Sequence, residues 1–238
     1  CTVPQTHGSL GEALADDACT TIYLQPQTHP AAVSLDRDVS IVALGPGAIL
    51  DGGGRDTTLR VPAGVTVELR GVDVTGGVAT RGGGIDAQGH VSLIDVRVYG
   101  NQARGVTPMG AGIASTTGSL TLEGSEVHDN LLVAELREGT AYGAGVYCSE
   151  CSLTLHESTS IHANRIEGIG DGQVGGAGIA ILNTSFAKLD EVVIDGNSIE
   201  QHVSLGAHAS GAGAVLIASA AELTNVSIRD NGVSCSCS

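Results

Sequence analysis

Gly110-Ala111-Gly112-Ile113, Ser119-Leu120-Thr121-Leu122 and Val127-His128-Asp129-Asn130 follow one another along the chain, and this three-part phrase keeps returning. Its glycine part recurs at Gly82-Gly83-Gly84-Ile85, Gly143-Ala144-Gly145-Val146, Gly176-Ala177-Gly178-Ile179 and Gly211-Ala212-Gly213-Ala214. A leucine marks the middle part, at Leu44, Leu69, Leu93, Leu122, Leu155, Leu189 and Leu223, with spacings of 25, 24, 29, 33, 34 and 34 residues. Eight residues later, or nine after Leu155, stands Gly52, Gly77, Asn101, Asn130, Asn164, Asn197 or Asn231. Alternating runs such as Val72-Asp73-Val74, Val96-Arg97-Val98, Val192-Val193-Ile194 and Val226-Ser227-Ile228 lie between them.

Each unit therefore contains three short strands with no helical period, and no two-residue Asn-Gly or Asp-Gly turn recurs to fold them into hairpins. Stacked units of this kind form a parallel β-helix, in which inward side chains alternate with outward ones and each coil adds one apolar layer. The spacing predicts about seven coils over residues 21–238 and a rod of roughly 34 Å, at ~4.8 Å per coil.

Composition agrees. Of 238 residues 35 are Gly, aromatics make up 2%, hydrophobic residues 42% and charged residues 16%. Enough aliphatic mass is present to exclude disorder, while the lack of rings excludes a conventional aromatic-anchored core. Net charge is -15, from 26 acidic and 11 basic residues, with Lys188 the lone lysine. Such a surface repels phosphate backbones and anionic lipid heads, so no nucleic acid and no membrane partner is expected. No apolar run approaches the ~20 residues of a spanning helix, and no leader-type segment is recognisable at the start.

Six cysteines fall as Cys1/Cys19, Cys148/Cys151 and Cys235/Cys237. They are expected to form disulfides and to place the chain in a secreted, extracellular or cell-surface setting. The one-residue gap makes a Cys235/Cys237 ring strained, so a bridge between chains stays open as the alternative. A four-thiolate zinc centre from the last two pairs is excluded, because nearly three coils, roughly 14 Å, separate them. No metal and no cofactor is expected.

Asn101, Asn130, Asn164, Asn197 and Asn231 are expected to stack as a structural amide ladder, the alternative being an outward row of amides for a glycan. The bends call for left-handed backbone, which Gly adopts freely and Asn tolerates. Residues 1–20 read as a cap: Ser9-Leu10-Gly11-Glu12 fits a capping box, and Leu10, Ala13 and Leu14 share one face of a helix running to about Asp17. After Asn231 no amphipathic segment covers the last coil. That end is expected to be stacked on another copy, covered by a partner or continued by further chain.

The Gly-x-Gly-Ile tetrapeptide followed by an x-x-x-Asn motif, as in Gly110 to Ile113 with Val127-His128-Asp129-Asn130, resembles the repeats of polymorphic outer membrane proteins and related bacterial surface proteins. The resemblance covers 82–238 well and 21–81 loosely, with Val or Ile where those repeats often carry Phe. It implies a right-handed β-helix in a secreted or surface-displayed protein, an adhesin or passenger.

β-Helices also host polysaccharide lyases and glycoside hydrolases, which need paired carboxylates or calcium carboxylates with a basic partner. Asp190/Glu191, His128/Asp129, His156/Glu157 and Asp73/Asp95 are the candidates, and none shows a basic partner recurring one coil on. Tyr23, Tyr99, Tyr142 and Tyr147 are few for a sugar cleft. Gly170-Asp171-Gly172 reads as a turn, and the sequons at Asn183 and Asn225 carry no weight. The loops 101–110, 130–143, 164–176 and 197–211 must emerge along one edge. Leu131-Leu132-Val133, Ile166 and Ile199 there suggest a satellite core, with His202, Val203, Leu205 and His208 left for lateral contacts. The expected function is non-enzymatic: a structural or adhesin-like β-helix protein, binding copies of itself end to end or a cell-surface or glycan ligand, with no catalytic residues assigned.

Overall fold

The computed structural model describes residues 1–136, 139–184, 186–203 and 208–237. Within them the chain winds as a right-handed parallel β-helix, and every strand pairing is parallel. The first sheet holds nine strands, from Thr2–Val3 and Thr21–Leu24 to Ala187–Asp190 and Ala221–Thr224. The second holds eight, from Thr28–Pro30 to Ser227–Arg229, and the third seven, from Val33–Ser34 to Ala214–Ile217. Eight coils each visit the first sheet and then the second, and the first seven go on to the third.

Pairing register explains why leucine marks the repeat. Leu69, Leu93, Leu122, Leu155, Leu189 and Leu223 lie one above the next in the first sheet. Five of them are buried, and Leu223 sits on the last coil. Upstream the column continues through Ile41 and Ile22, not Leu44. Ile41 is fully buried whereas Leu44 is 50% exposed, and Ile22 adds a coil before it, so the count rises from about seven coils to eight. The early coils are shorter, and the frame taken from later ones slips by three residues there.

The second departure is larger. Residues expected to be loops form two further sheets. A fourth sheet stacks Val78–Ala79, Gln102–Gly105, Leu131–Leu136, Arg165–Gly170, Ser198–Val203 and Gly232–Cys237, and a fifth stacks Thr140–Tyr142, Gln173–Gly175 and His208–Ser210. The third to seventh coils thus carry four or five strands instead of three. The ridge encloses its own core of Ala103, Leu132, Ala134, Ile166, Val174 and Ile199. Its floor is the middle residue of each Gly-Ala-Gly phrase, Ala111, Ala144, Ala177 and Ala212. At Gly83, where the ridge begins, a Cβ would collide with the Gln102 carbonyl. The central residue is thus small because it separates two cores.

The asparagines occupy the bend after the second sheet, and Asn101, Asn130, Asn164 and Asn197 are at most 1% exposed. Each Nδ2 donates to the Oδ1 of the next, at 3.1 Å for Asn101 to Asn130, 2.9 Å to Asn164, 3.0 Å to Asn197 and 2.9 Å to Asn231. The same Oδ1 atoms accept the backbone N–H of the preceding Asn, and Gly77 N–H closes the column on Asn101 at 2.9 Å. The left-handed positions are not the asparagines but the residues before them, Gly100, Asp129, Ala163, Gly196 and Asp230, with φ between 52° and 64°. That residue turns the chain, so the Asn side chain projects inside the bend and along the axis. A Cβ on Gly84, Gly112, Gly145, Gly178 or Gly213 would lie 2.8–2.9 Å from the adjacent Asn Nδ2. Ladder and glycine stripe therefore occupy each other's space.

At the N-terminal end Leu10 and Ala13 of the helix Leu10–Ala15 are buried against the first layer. Ser9 caps the helix by accepting from Glu12 N–H. The Glu12 carboxylate reaches Gly8 N–H at 2.8 Å, one residue before the expected partner, and the helix stops at Ala15, two residues short of Asp17.

Replacing Asn164 by Ala removes both ladder bonds, strips the buried Asn130 backbone N–H of its acceptor and takes one donor from the Val127 and His162 carbonyls. At ~1–3 kcal/mol for the stranded donor and ~0.5–1.5 kcal/mol for each further bond lost, urea unfolding is expected to show a loss of about 3 kcal/mol. Asn225→Gly, at an exposed left-handed turn with φ 53° that glycine adopts freely, is expected to change stability by less than ~0.5 kcal/mol.

Candidate functional site

The outer face of the second sheet carries the densest chemistry. Register places Asp73, Arg97 and Glu126 on successive coils. Together with Asp95, Pro46, Gly47, Gly71, Val96 and Gly124 they line an open groove of about 410 Å³. Asp73 is only 8% exposed and takes both arms of the Arg97 guanidinium, at 2.8 and 2.6 Å. The Asp73 bond holds Arg97 above its ordinary pKa despite partial burial. The sequence therefore does place a basic partner one coil beyond Asp73, contrary to expectation. Its signal was present: Asp73, Arg97 and Glu126 each stand four residues after their leucine.

The neighbouring outward row is an aromatic stack. Tyr99 and His128 rings lie 5.2 Å apart at 10°, and His128 and His162 lie 5.0 Å apart at 1°. Asp129 hydrogen-bonds His128 Nδ1 at 2.7 Å. Burial raises the Tyr99 pKa, reinforced by the nearby Asp73 charge. Rings stacked in this way present edges, not faces, to solvent, which is the wrong presentation for a sugar platform.

The remaining candidates disperse. His156 lies 4.0 Å from Glu123 and 3.9 Å from Glu157 on the first sheet. Asp190 ends a strand of that sheet and Glu191 takes the left-handed turn after it. Lys188 stacks between Thr154 and Glu222. Tyr142 and Tyr147, 7% and 5% exposed, fill an apolar pocket with Ala114 and Ala180 between ridge and third sheet. Burial raises the Tyr142 pKa. On the ridge Leu132, Ile166 and Ile199 are buried, Leu131 and Val133 are half-buried, and His208 is exposed. Leu205, Ser185 of one sequon and the Val203 and Cys237 side chains lie outside the described residues.

Disulfides join Cys1 to Cys19 and Cys148 to Cys151. The second is buried around the left-handed Glu150, with Cys148 Sγ 3.4 Å from Thr184 Oγ1. Cys235 is an exposed free thiol, so no Cys235/Cys237 ring closes. Both residues belong to the strand Gly232–Cys237, where alternate residues stand ~6.6 Å apart, near the limit of disulfide reach.

Among the described residues no helix is long and apolar enough to cross a membrane. No family model, curated protein or solved structure matches this chain. The fold alone defines its class, a right-handed parallel β-solenoid with a lateral ridge.

Two outcomes test the electrostatics. Asp16, bonded by Ala18 N–H and then by His7, and Glu68, bonded by Arg70, have lowered carboxyl pKa values. Their contribution is complete above the unfolded values of ~4 to 4.5 and is lost as pH falls through the lower folded values. The denaturation midpoint should therefore drop on acidification below about pH 4.5. Arg97→Ala strands the nearly buried Asp73 carboxylate and is expected to cost about 1–2 kcal/mol in urea unfolding at pH 7. A loss below about 0.5 kcal/mol, the ordinary scale of a surface substitution, would contradict the pairing.

Proposed function

We propose that the chain is a non-enzymatic structural or adhesin-like rod that acts outside the cell and makes contacts through its last coil and its ridge. The reading rests first on the end of the solenoid. Leu216, Leu223, Ile228 and Val233 are 43%, 52%, 49% and 47% exposed. Their register partners one coil earlier, Ile181, Leu189, Ile194 and Ile199, are at most 2% exposed. This layer offers strand edges and an apolar cross-section matched to another layer of the same shape, whether a second copy's or a further coil's.

The other end is closed by the helix Leu10–Ala15. Two copies joining through open layers therefore meet tail to tail, an isologous contact, whereas a head-to-tail filament requires the cap to move. Two disulfides support an oxidising compartment. The repeat's likeness to bacterial surface proteins supports the same setting.

The rival reading is a polysaccharide lyase or hydrolase working in the Asp73 groove. A lyase base must give up its proton, and the bidentate Asp73 bond favours the charged form of Arg97. This clasp favours the non-catalytic reading over the enzymatic one.

Analytical ultracentrifugation with electron microscopy tests the assembly. End-to-end pairs are expected at neutral pH, lost in Leu223→Asp/Ile228→Asp. A monomer at high concentration would contradict self-association, leaving a glycan or surface ligand on the ridge. Reducing or unsaturated sugar released from acidic polysaccharides, and abolished by Asp73→Asn, would establish the enzyme instead.

A further inference from the structure

The cap holds a donor set that the disulfide alone does not explain. The strand Thr2–Val3 pairs with Thr21–Leu24, bringing Cys1 beside Cys19, and the chain returns through His7 and the helix to Asp16 at its C-cap. One ligand atom from each of Cys1, His7, Asp16 and Cys19 falls within 4.8 Å of the others. His7 Nε2 lies 3.2 Å from Asp16 Oδ2 and 3.7 Å from Cys19 Sγ.

The hydrogen bonds around His7 orient it. Thr6 Oγ1 donates to Thr2 O at 3.1 Å and accepts Thr2 N–H at 2.8 Å. Its 3.0 Å contact with His7 Nδ1 is therefore an acceptance from Nδ1–H. Nδ1 carrying a proton leaves Nε2 to face a carboxylate oxygen and a sulfur, an arrangement that calls for a proton or a cation between them. The far ring nitrogen of a metal-bound histidine is usually fixed by a carboxylate, a backbone carbonyl or a water, and the Thr6 hydroxyl takes that place on His7. Asp16 is held as well, its Oδ1 accepting Ala18 N–H at 3.0 Å.

We propose that, when the cap disulfide is reduced, Cys1, His7, Asp16 and Cys19 bind one Zn²⁺ ion, so that either a cystine or a zinc ion fastens the N-terminal cap. Two thiolates, an imidazole and a carboxylate make a tetrahedral zinc donor set. Bonds of ~2.3 Å to zinc place two tetrahedral sulfurs about 3.8 Å apart, and a Cα–Cα distance of 5.4 Å accommodates that by side-chain rotation. A dithiol reductant supplies the chemistry: two electrons and two protons pass to the cystine as the dithiol closes to its own disulfide. Zn²⁺ then takes both sulfurs as thiolates and releases the two protons. The ion enters from the Asp16 side, which is 45% exposed, against 19% for His7.

The proposal concerns the cap alone and stands apart from the end-contact reading. It is tested on the full chain, reduced with a phosphine in metal-free buffer and alkylated with and without Zn²⁺, each cysteine being followed by mass spectrometry. Zinc is expected to protect Cys1 and Cys19 together, at one ion per chain, and not Cys235. Co²⁺ in its place should show the visible bands of a tetrahedral thiolate site. Thr6→Val, which removes the bond to His7 Nδ1 and no ligand atom, is expected to weaken zinc by about 10- to 100-fold. Equal alkylation of Cys1 and Cys19 with and without zinc, whatever the fold of the reduced cap, overturns the site. Protection undiminished in His7→Ala/Asp16→Asn overturns the four-ligand assignment.

Discussion

A solenoid of this kind depends on satisfying the same buried bend in every coil. The chain turns sharply after the second sheet, and the polar groups released by the turn face the interior. In each of the last five coils an asparagine meets them: its amide donates to carbonyls of its own bend and of the coil before, and its oxygen accepts from the preceding asparagine. From Asn101 to Asn197 each bend is completed by the next. The glycine stripe follows from the same constraint, since a Cβ there would invade the ladder. Strand pairing sets the spacing, and the ladder fixes the register.

That dependence explains what the sequence discloses. An inward residue stacked on its own kind must recur with each coil, so leucine, asparagine and Gly-x-Gly spacings reported the coil path directly. Outward pairs such as Asp73 with Arg97 obey the same spacing, yet charges of opposite sign do not look like a repeat, and the pair was missed. The ridge was harder still. Its strands bury small residues, Ala103 or Ala134, as often as Leu132 or Ile166, so alternation is faint and only the satellite core was visible. Leu44 misled because it falls on the leucine spacing while Ile41 fills the layer.

The asparagine bends show another limit. Composition assigns left-handed backbone to Gly and Asn, yet Ala163 takes that conformation ahead of Asn164. The ladder's bonds outweigh the ~1–2 kcal/mol such a residue costs. Likewise Cys1, His7, Asp16 and Cys19 are distant in sequence and conform to no compact metal motif. Only the return of Thr2–Val3 onto Thr21–Leu24 brings them together.

The central claim is that buried asparagine amides lock each coil to the next. Side-chain amide hydrogen exchange, followed by NMR on the intact chain, measures this directly. The Nδ2 protons of Asn101, Asn130, Asn164 and Asn197 should be protected as strongly as the backbone amides of the first sheet, while those of Asn225 exchange at the solvent rate. Ladder amides exchanging as fast as Asn225 would show that the column does not hold the solenoid together.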